Sequence, residues 1–352
     1  MTLAPRPWIF DVPAYVPGRP ARDEEGSLAS NESPLGASPE VGTSIARAIR
    51  RIHRYPDPLA SELRSALADY HRVDPEQILV GNGSDELIVL VATAYLAQGG
   101  HVVTADPAYR IDEISARLVA GTVTGVPLVN GVHDLDAMAK VEADIAYVVN
   151  PHNPTGTAHQ RPEIENFLRA ARSTFTIVDE AYIDFCDEPE SASAVGLLDL
   201  GGFAVLRTFS KVYGLAGLRI GYLIAPTEVI SILRRVRTPF SVNSLAQAGA
   251  LAALRDRAHF TRVREHAIKA RLELVDELRA IGLQPYLSQA NFVLVPVPDE
   301  SAAAAHLGSH GVQVRPGTAL GVPGHLRISV PTPRGMDRLR AAIRTLSVGG
   351  LR

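Results

Sequence analysis

Four short segments gather residue types that can do chemistry. The first is Thr208-Phe209-Ser210-Lys211, which continues through a glycine-rich stretch to Arg219 and Tyr222. Lys211 follows an apolar run, and Arg219 lies eight residues further on. A lysine amine held at a strand terminus can form a Schiff base with an aldehyde cofactor. Ser210 and Arg219 can hold a phosphate, the hydroxyl as donor and the guanidinium as a bidentate fork. The same lysine also reads as a solvated residue of a flexible loop. The second segment is Thr176-Ile177-Val178-Asp179-Glu180-Ala181-Tyr182. An apolar strand delivers Asp179 at its C-terminal end, where open α/β sheets bind ligands. A carboxylate there can pair with a protonated pyridine nitrogen and keep the ring an electron sink. Tyr182 can donate to a ring oxygen. Asp179 can equally cap the next helix.

The third segment is Asn150-Pro151-His152-Asn153-Pro154-Thr155-Gly156. Its two Asn-Pro turns demand a specific backbone path, and Asn153 can offer an amide to a phenolate oxygen. An ordinary strand-to-helix loop has a similar composition. The fourth is Gly81-Asn82-Gly83-Ser84-Asp85-Glu86, ahead of the apolar Leu87-Ile88-Val89-Leu90-Val91. A strand, a glycine turn and a helix start make an anion cradle, with the backbone N–H groups of Ser84 and Asp85 at the positive helix end. The pattern is neither a Walker A loop nor GxGxxG. Read alone, it is a plain capped helix.

The surrounding elements alternate. Short Val- and Ile-rich runs occur at 77–80, 101–105, 122–128, 144–149, 175–178, 203–208 and 220–224, and amphipathic stretches such as 163–172 separate several of them. That βαβ rhythm predicts an α/β fold with a mostly parallel sheet between helices. Residues 1–30 hold five of the 25 prolines and read as an extended arm. Near residue 240 the rhythm changes. Residues 244–280 predict two helices or one bent one. Beyond them come strands at 291–297, 312–315 and 325–330 and helices at 301–308 and 335–346, which read as a smaller α+β domain.

Composition narrows the class. The 352 residues are 46% hydrophobic and 21% charged, which suits a folded chain of about two domains. A net charge of −3 supplies no basic field for nucleic acid or an anionic membrane. Cys186 is the only cysteine, so no disulfide framework is expected and a reducing cytoplasm fits. The eleven histidines show no metal-ligand spacing, and no apolar run reaches the ~20 residues of a spanning helix. The first residues lack a signal-peptide pattern.

Together the four motifs resemble the fold-type I pyridoxal-phosphate aminotransferases, over almost the whole chain. Within them the sequence is most similar to the histidinol-phosphate aminotransferase group. Tyr15-Val16-Pro17-Gly18-Arg19, Leu28-Ala29-Ser30-Asn31-Glu32, Tyr55-Pro56-Asp57-Pro58 and residues 81–86, 179–185 and 209–222 carry that likeness. The resemblance implies an aspartate aminotransferase-like fold: a large cofactor-binding domain over 31–243, and a small domain over 244–352 that the 1–30 arm joins. It implies pyridoxal 5'-phosphate as cofactor. Lys211 then looks like the Schiff-base lysine, Asp179 the partner of the pyridine nitrogen, and Asn153 and Tyr182 the donors to the ring hydroxyl oxygen. Tyr109 resembles the stacking aromatic. Ser84, Asp85, Ser210 and Arg219 resemble the phosphate cup. Tyr55 resembles the tyrosine that reaches the neighbouring subunit's cofactor, which implies a cytoplasmic homodimer with shared sites. Arg327 resembles the arginine that grips a substrate carboxylate, and Tyr15, Asn82 and Arg315 fall where substrate contacts occur.

The implied activity is ping-pong transamination between histidinol phosphate and 2-oxoglutarate, in histidine biosynthesis. Some features depart from the group. Arg110-Ile111-Asp112 stands where a second aromatic is usual, and Ser329-Val330-Pro331-Thr332-Pro333 where a glycine turn is usual. Thr238-Pro239-Phe240-Ser241-Val242-Asn243 also looks like a loop of threonine-phosphate decarboxylases. The alternatives are an aromatic or other amino-acid aminotransferase, such a decarboxylase, or a catalytically silent binding protein of this fold. The absence of GxGxxG speaks against a Rossmann dehydrogenase.

Overall fold

The structure is a computed structural model and describes residues 4–14, 20–171 and 174–345. Its strands are β1 (Ser27–Leu28), β2 (Ile78–Gly81), β3 (His101–Asp106), β4 (Thr122–Pro127), β5 (Ile145–Val149), β6 (Phe175–Asp179), β7 (Phe203–Thr208), β8 (Gly221–Ile224), β9 (Phe292–Pro296), β10 (Gln313–Pro316) and β11 (His325–Ser329). Seven of them form one sheet in the order β2-β8-β7-β6-β5-β3-β4. Every neighbouring pair is parallel except those of β8, which runs antiparallel to both β2 and β7.

The central strands read as unbroken apolar runs because helices cover both faces. Every residue of β5 and β7 is buried. Successive side chains alternate between the two layers. Ile145, Tyr147, Ile177, Ala204 and Leu206 share one core with Leu87, Ile88 and Val91 of the helix Ser84–Tyr95 and with Val229, Ile230 and Leu233 of the helix Thr227–Val236. Ala146, Val148, Val178 and Val205 face the other core, with Leu63 and Leu67 of Ser61–His71 and Ile164 and Phe167 of Arg161–Ala170. At the C-terminal edge of the parallel strands, β2, β3, β5, β6 and β7 release the chain into the segments that carry the polar motifs.

The second sheet has the order β1-β10-β11-β9. The N-terminal segment is not simply an extended arm. Pro7–Asp11 forms a 3₁₀ turn, and β1 pairs parallel to β10, Ser27 with Gln313 and Leu28 with Val314. The choice between two helices and one bent helix over 244–280 falls to two, Ser244–Arg255 and Arg257–Ala280. Asp256 makes the break: its N–H closes the first helix on Ala252 O, and its carboxylate accepts the His259 N–H at 3.0 Å to open the second. No described helix is long and apolar enough to cross a membrane.

Three histidines pack together beneath the strand-end loops. The His133 ring lies 4.7 Å from His152 and 6.0 Å from His159. His152 shares a hydrogen bond with Thr155 Oγ1 at 2.9 Å and approaches Pro107 O at 3.2 Å. Burial, with some push from His159, lowers His152 from 6.5 to about 4, and burial holds His133 well below 6.5. Both stay neutral in the fold, whereas the unfolded chain protonates them below about 6.5. Their stabilisation is therefore complete above that pH and is lost as pH falls toward about 4. The urea midpoint is expected to drop steadily between about pH 6.5 and 4.5, with His152 alone contributing roughly 3 kcal/mol over the full window. A His152→Gln variant should show a shallower drop. An identical slope in that variant would remove His152 from this account.

Candidate active site

Asp179 ends β6 and is 5% exposed. Its carboxylate accepts the Ala181 N–H at 2.9 Å. Burial raises it from 3.8 to about 7; the Ala181 bond opposes this, Asp85 and Glu180 add to it, and Lys211 pulls the other way. A cation placed against this group would ionise it. Glu180, the next residue, is fully buried and pairs with Arg207 at 2.7 Å, so its charge is engaged away from Asp179.

Lys211 follows β7 and donates to Ser30 O at 3.3 Å, with its Nζ 5.4 Å from the Tyr182 ring. Lys211, Tyr182, Asn153, Tyr109, Arg315 and Arg327 line one cavity of about 620 Å³. Asn153 follows β5 in the loop where His152 N–H bonds Thr157 O and Gly156 N–H bonds His152 O. Its Oδ1 accepts Arg327 Nη1 at 2.6 Å. The amide nitrogen of Asn153 is then turned away from the arginine and is free to act as a donor. Arg327 also donates to Ala29 O at 2.7 Å, and its guanidinium lies 5.4 Å from the Phe292 ring centre. The antiparallel register sets Arg315 directly opposite Arg327. Two like charges so placed favour an anion between them.

The glycine turn after β2 builds the other end of the site. Gly83 has φ +84, and a Cβ there would sit 2.9 Å from Arg219 Nη2. A Cβ on Gly221 would sit 2.8 Å from Ser84 N. Only glycine lets the guanidinium and the helix N–H groups approach this closely. Arg219 itself takes φ 53 and pairs with Asp85 at 3.3 Å. Tyr109 precedes the helix Arg110–Leu118 and donates its hydroxyl to Asp85 at 3.2 Å. Ser210 is buried beside Lys211, its N–H held by Thr208 Oγ1 at 3.1 Å. The donors and the glycine cradle fit a phosphate at the N-terminus of Ser84–Tyr95.

The sequence-predicted residues divide. Lys211, Asp179, Tyr182, Asn153, Tyr109, Ser210, Ser84, Asp85, Arg219, Arg315 and Arg327 all sit at the strand ends or the cavity wall. Asn82, directly after β2, is exposed beside the cup with its N–H bonded to Glu86 at 2.5 Å, and like Ser84, Asp85, Asp179, Ser210 and Arg219 it is not among the residues lining the cavity. Tyr55 does not line it either, being 83% exposed and stacked on Phe240 at 4.7 Å. Tyr15 lies outside the described residues. Sequence reasoning missed Ser30 and Asn31, which line the cavity with Lys211. It also missed the buried Asp112, whose neighbours include Asp179 and Asp85 and whose own carboxyl burial pushes well upward. A lone acid on the inner face of an amphipathic helix was the available signal for Asp112.

The chain matches the family model "Aminotransferase class I and II" over residues 26–343. It is 36% identical to a histidinol-phosphate aminotransferase of Brevibacillus brevis, covering 99% of this chain and all of that protein. The fold superposes on the histidinol-phosphate aminotransferase of Sinorhizobium meliloti in complex with pyridoxal-5'-phosphate, with a TM-score of 0.84, 28% identity and 91% of each chain covered. It also superposes on a variant of Thermus thermophilus aspartate aminotransferase, with a TM-score of 0.80, 28% identity and 90% and 89% coverage. On its motifs, its strand-end site and these likenesses, the chain belongs to aminotransferase class I and II.

Proposed function

We propose that this chain is a pyridoxal-phosphate-dependent aminotransferase that takes its amino group from histidinol phosphate and passes it to 2-oxoglutarate. The observation that carries the substrate reading is the Arg315–Arg327 pair across β10 and β11, on the wall of the cavity that holds Lys211. One such pair can receive a phosphate monoester or a carboxylate in turn, as ping-pong transfer requires. The name of the Brevibacillus relative supports the same substrate.

When bound, pyridoxal phosphate supplies an aldehyde for amine exchange and a ring that accepts the electron pair of a broken Cα–H bond. The residues present fit it. Arg219, Ser210 and the N–H groups of Ser84 and Asp85 would hold the phosphate. Asp179 would stand against the ring nitrogen and, raised to about 7 without a neighbouring cation beyond Lys211, would ionise on meeting that N–H. The Asn153 amide and the Tyr182 hydroxyl would donate to the ring oxygen, and Tyr109 would cover the ring face. Lys211 Nζ would be the amine that holds the cofactor through its aldehyde, and the same group would accept the proton from the substrate Cα. Arg327, fixed by Asn153 and Ala29, orients the substrate through its anion.

Tyr55 supports a homodimer with shared sites. It projects from a surface that also exposes Ile49, Ile52, Leu59 and Phe240, an apolar area suited to a second copy of the chain. The two sheets support a division at about residue 243, with β1 fastening residues 1–30 to the smaller part. A buried, free Cys186 supports the cytoplasm as its compartment.

Half-reactions test the substrate. Histidinol phosphate should convert the lysine-bound cofactor to its amine form far faster than phenylalanine or glutamate. Carbon dioxide released from threonine phosphate would replace the proposal with decarboxylation. Lys211→Ala should abolish transamination, and normal turnover in that variant would sink the mechanism. Arg327→Ala should raise KM or lower kcat/KM about a hundredfold while the cofactor stays bound; loss of the cofactor would refute that role. Light scattering should give twice the 37.7 kDa chain mass. At limiting cofactor, mixing Lys211→Ala with Tyr55→Ala chains should restore activity that neither has alone, because one mixed site then holds both residues. Absence of rescue would rule out sharing through Tyr55.

A further inference from the structure

We propose that Asn31 is a positioning residue that fixes the direction of the Tyr182 hydroxyl, so that its single proton is reserved for the cofactor's ring oxygen. The inference rests on the cofactor reading above. It begins with three consecutive residues. Ala29 O receives Arg327 Nη2 at 2.7 Å, Ser30 O receives Lys211 Nζ at 3.3 Å, and Asn31 Nδ2 reaches Tyr182 OH at 3.1 Å. One tripeptide from the N-terminal segment thus touches the substrate-side arginine, the lysine and the ring-oxygen donor.

Asn31 is held firmly enough to direct a proton. It is 1% exposed and takes φ 55, a conformation asparagine tolerates better than most residues. Its N–H donates to Ser329 Oγ at 2.9 Å, its Oδ1 accepts from the same Oγ at 2.9 Å, and its carbonyl accepts Asn291 Nδ2 at 3.2 Å. Ser329 Oγ has one proton. Among the described contacts Asn31 Oδ1 is the acceptor of that proton, which sets the amide with oxygen toward Ser329 and nitrogen toward Tyr182. An amide nitrogen only donates. The Tyr182 oxygen therefore accepts from Asn31, and its own O–H must point elsewhere. The ring is pinned by edge contact with Phe292 at 5.1 Å, and it lines the cavity with Asn153 and Lys211. If the amide were reversed, Oδ1 would take the tyrosine proton and the cofactor would lose a donor. Ser329 lies two residues beyond Arg327 on β11, so the substrate-side strand also sets this orientation.

A pH titration of the visible absorbance of the lysine-bound cofactor reads the effect directly. A donor to the ring oxygen stabilises its negative charge and lowers the proton affinity of the chromophore. Losing it raises the midpoint. Asn31→Gly removes the amide and keeps the positive φ accessible. Its midpoint should rise by roughly half a pH unit, a threefold change in proton affinity. Tyr182→Phe should shift in the same direction and at least as far. The double variant should match Tyr182→Phe alone, because Asn31 then has no hydroxyl to direct. Lys211 and Tyr109 neighbour the tyrosine and, with Asp179 and Arg327, are unchanged throughout. Ser329→Ala, which frees the amide to turn, should give a smaller upward shift and serves if Asn31→Gly does not fold. An unmoved midpoint in both Asn31→Gly and Ser329→Ala, or additive shifts in the double variant, would overturn the inference while wild type keeps its visible band. A wild-type protein with no such band would overturn the cofactor reading, and this inference with it.

Discussion

The whole site depends on a carboxyl group kept out of water at the end of a buried strand. Desolvating Asp179 is unfavourable, and the chain surrounds it with more acid than base. Such an arrangement is unstable alone and stable once a cation arrives. Much of the surrounding architecture holds that position. β5 and β7 flank β6 in parallel register, Glu180 is drawn off into its own ion pair with Arg207, and the Asn150 N–H bonds Asp179 O at 2.8 Å.

Around that fixed point the two sheets contribute unlike functions. The larger sheet supplies the groups proposed to face a planar cofactor, all from the loops following parallel strands. The smaller sheet supplies the two arginines proposed to face a substrate anion. The Arg327–Asn153 hydrogen bond at 2.6 Å joins the two sets. A substrate that engages Arg327 therefore acts on a residue directed at the ring oxygen, and the segment 29–31 makes a second connection between the same parties.

Much of this was legible in the sequence because the physics there is local. β5, β6 and β7 are buried on both faces, so their apolar runs mark them, and the residue following each run falls at the ligand-binding edge. Lys211, Asp179 and Asn153 were found that way. Arg219 was found through its spacing from Lys211. The reversed direction of β8 left no local trace, since a short buried strand reads alike in either direction. The opposition of Arg315 and Arg327 is a property of antiparallel register. The contacts of Ser30 and Asn31 join residues 181 and 151 positions apart, and no pattern within the segment announces them. The histidine group is similar: His133, His152 and His159 look scattered along the chain and meet only because the strand-end loops fold over one another. Tyr55 was legible as a motif residue, but its place, exposed and away from the cavity, follows from packing on Phe240.

The two-residue strand β1 has a consequence for how the molecule comes into being. Its partner β10 begins at Gln313, and Ala29 and Asn31 meet Arg327 and Ser329 across 298 residues of chain. During synthesis the large sheet can assemble while β1 still lacks the strand it pairs with. The tripeptide that touches Lys211, Tyr182 and Arg327 finds its seat only when nearly the last strand leaves the ribosome. Most of the residues proposed to hold the cofactor thus precede the smaller sheet in the chain, and the proposed substrate side is completed near the end of translation. Until then Lys211 lacks the settled Ser30 carbonyl that accepts from its Nζ.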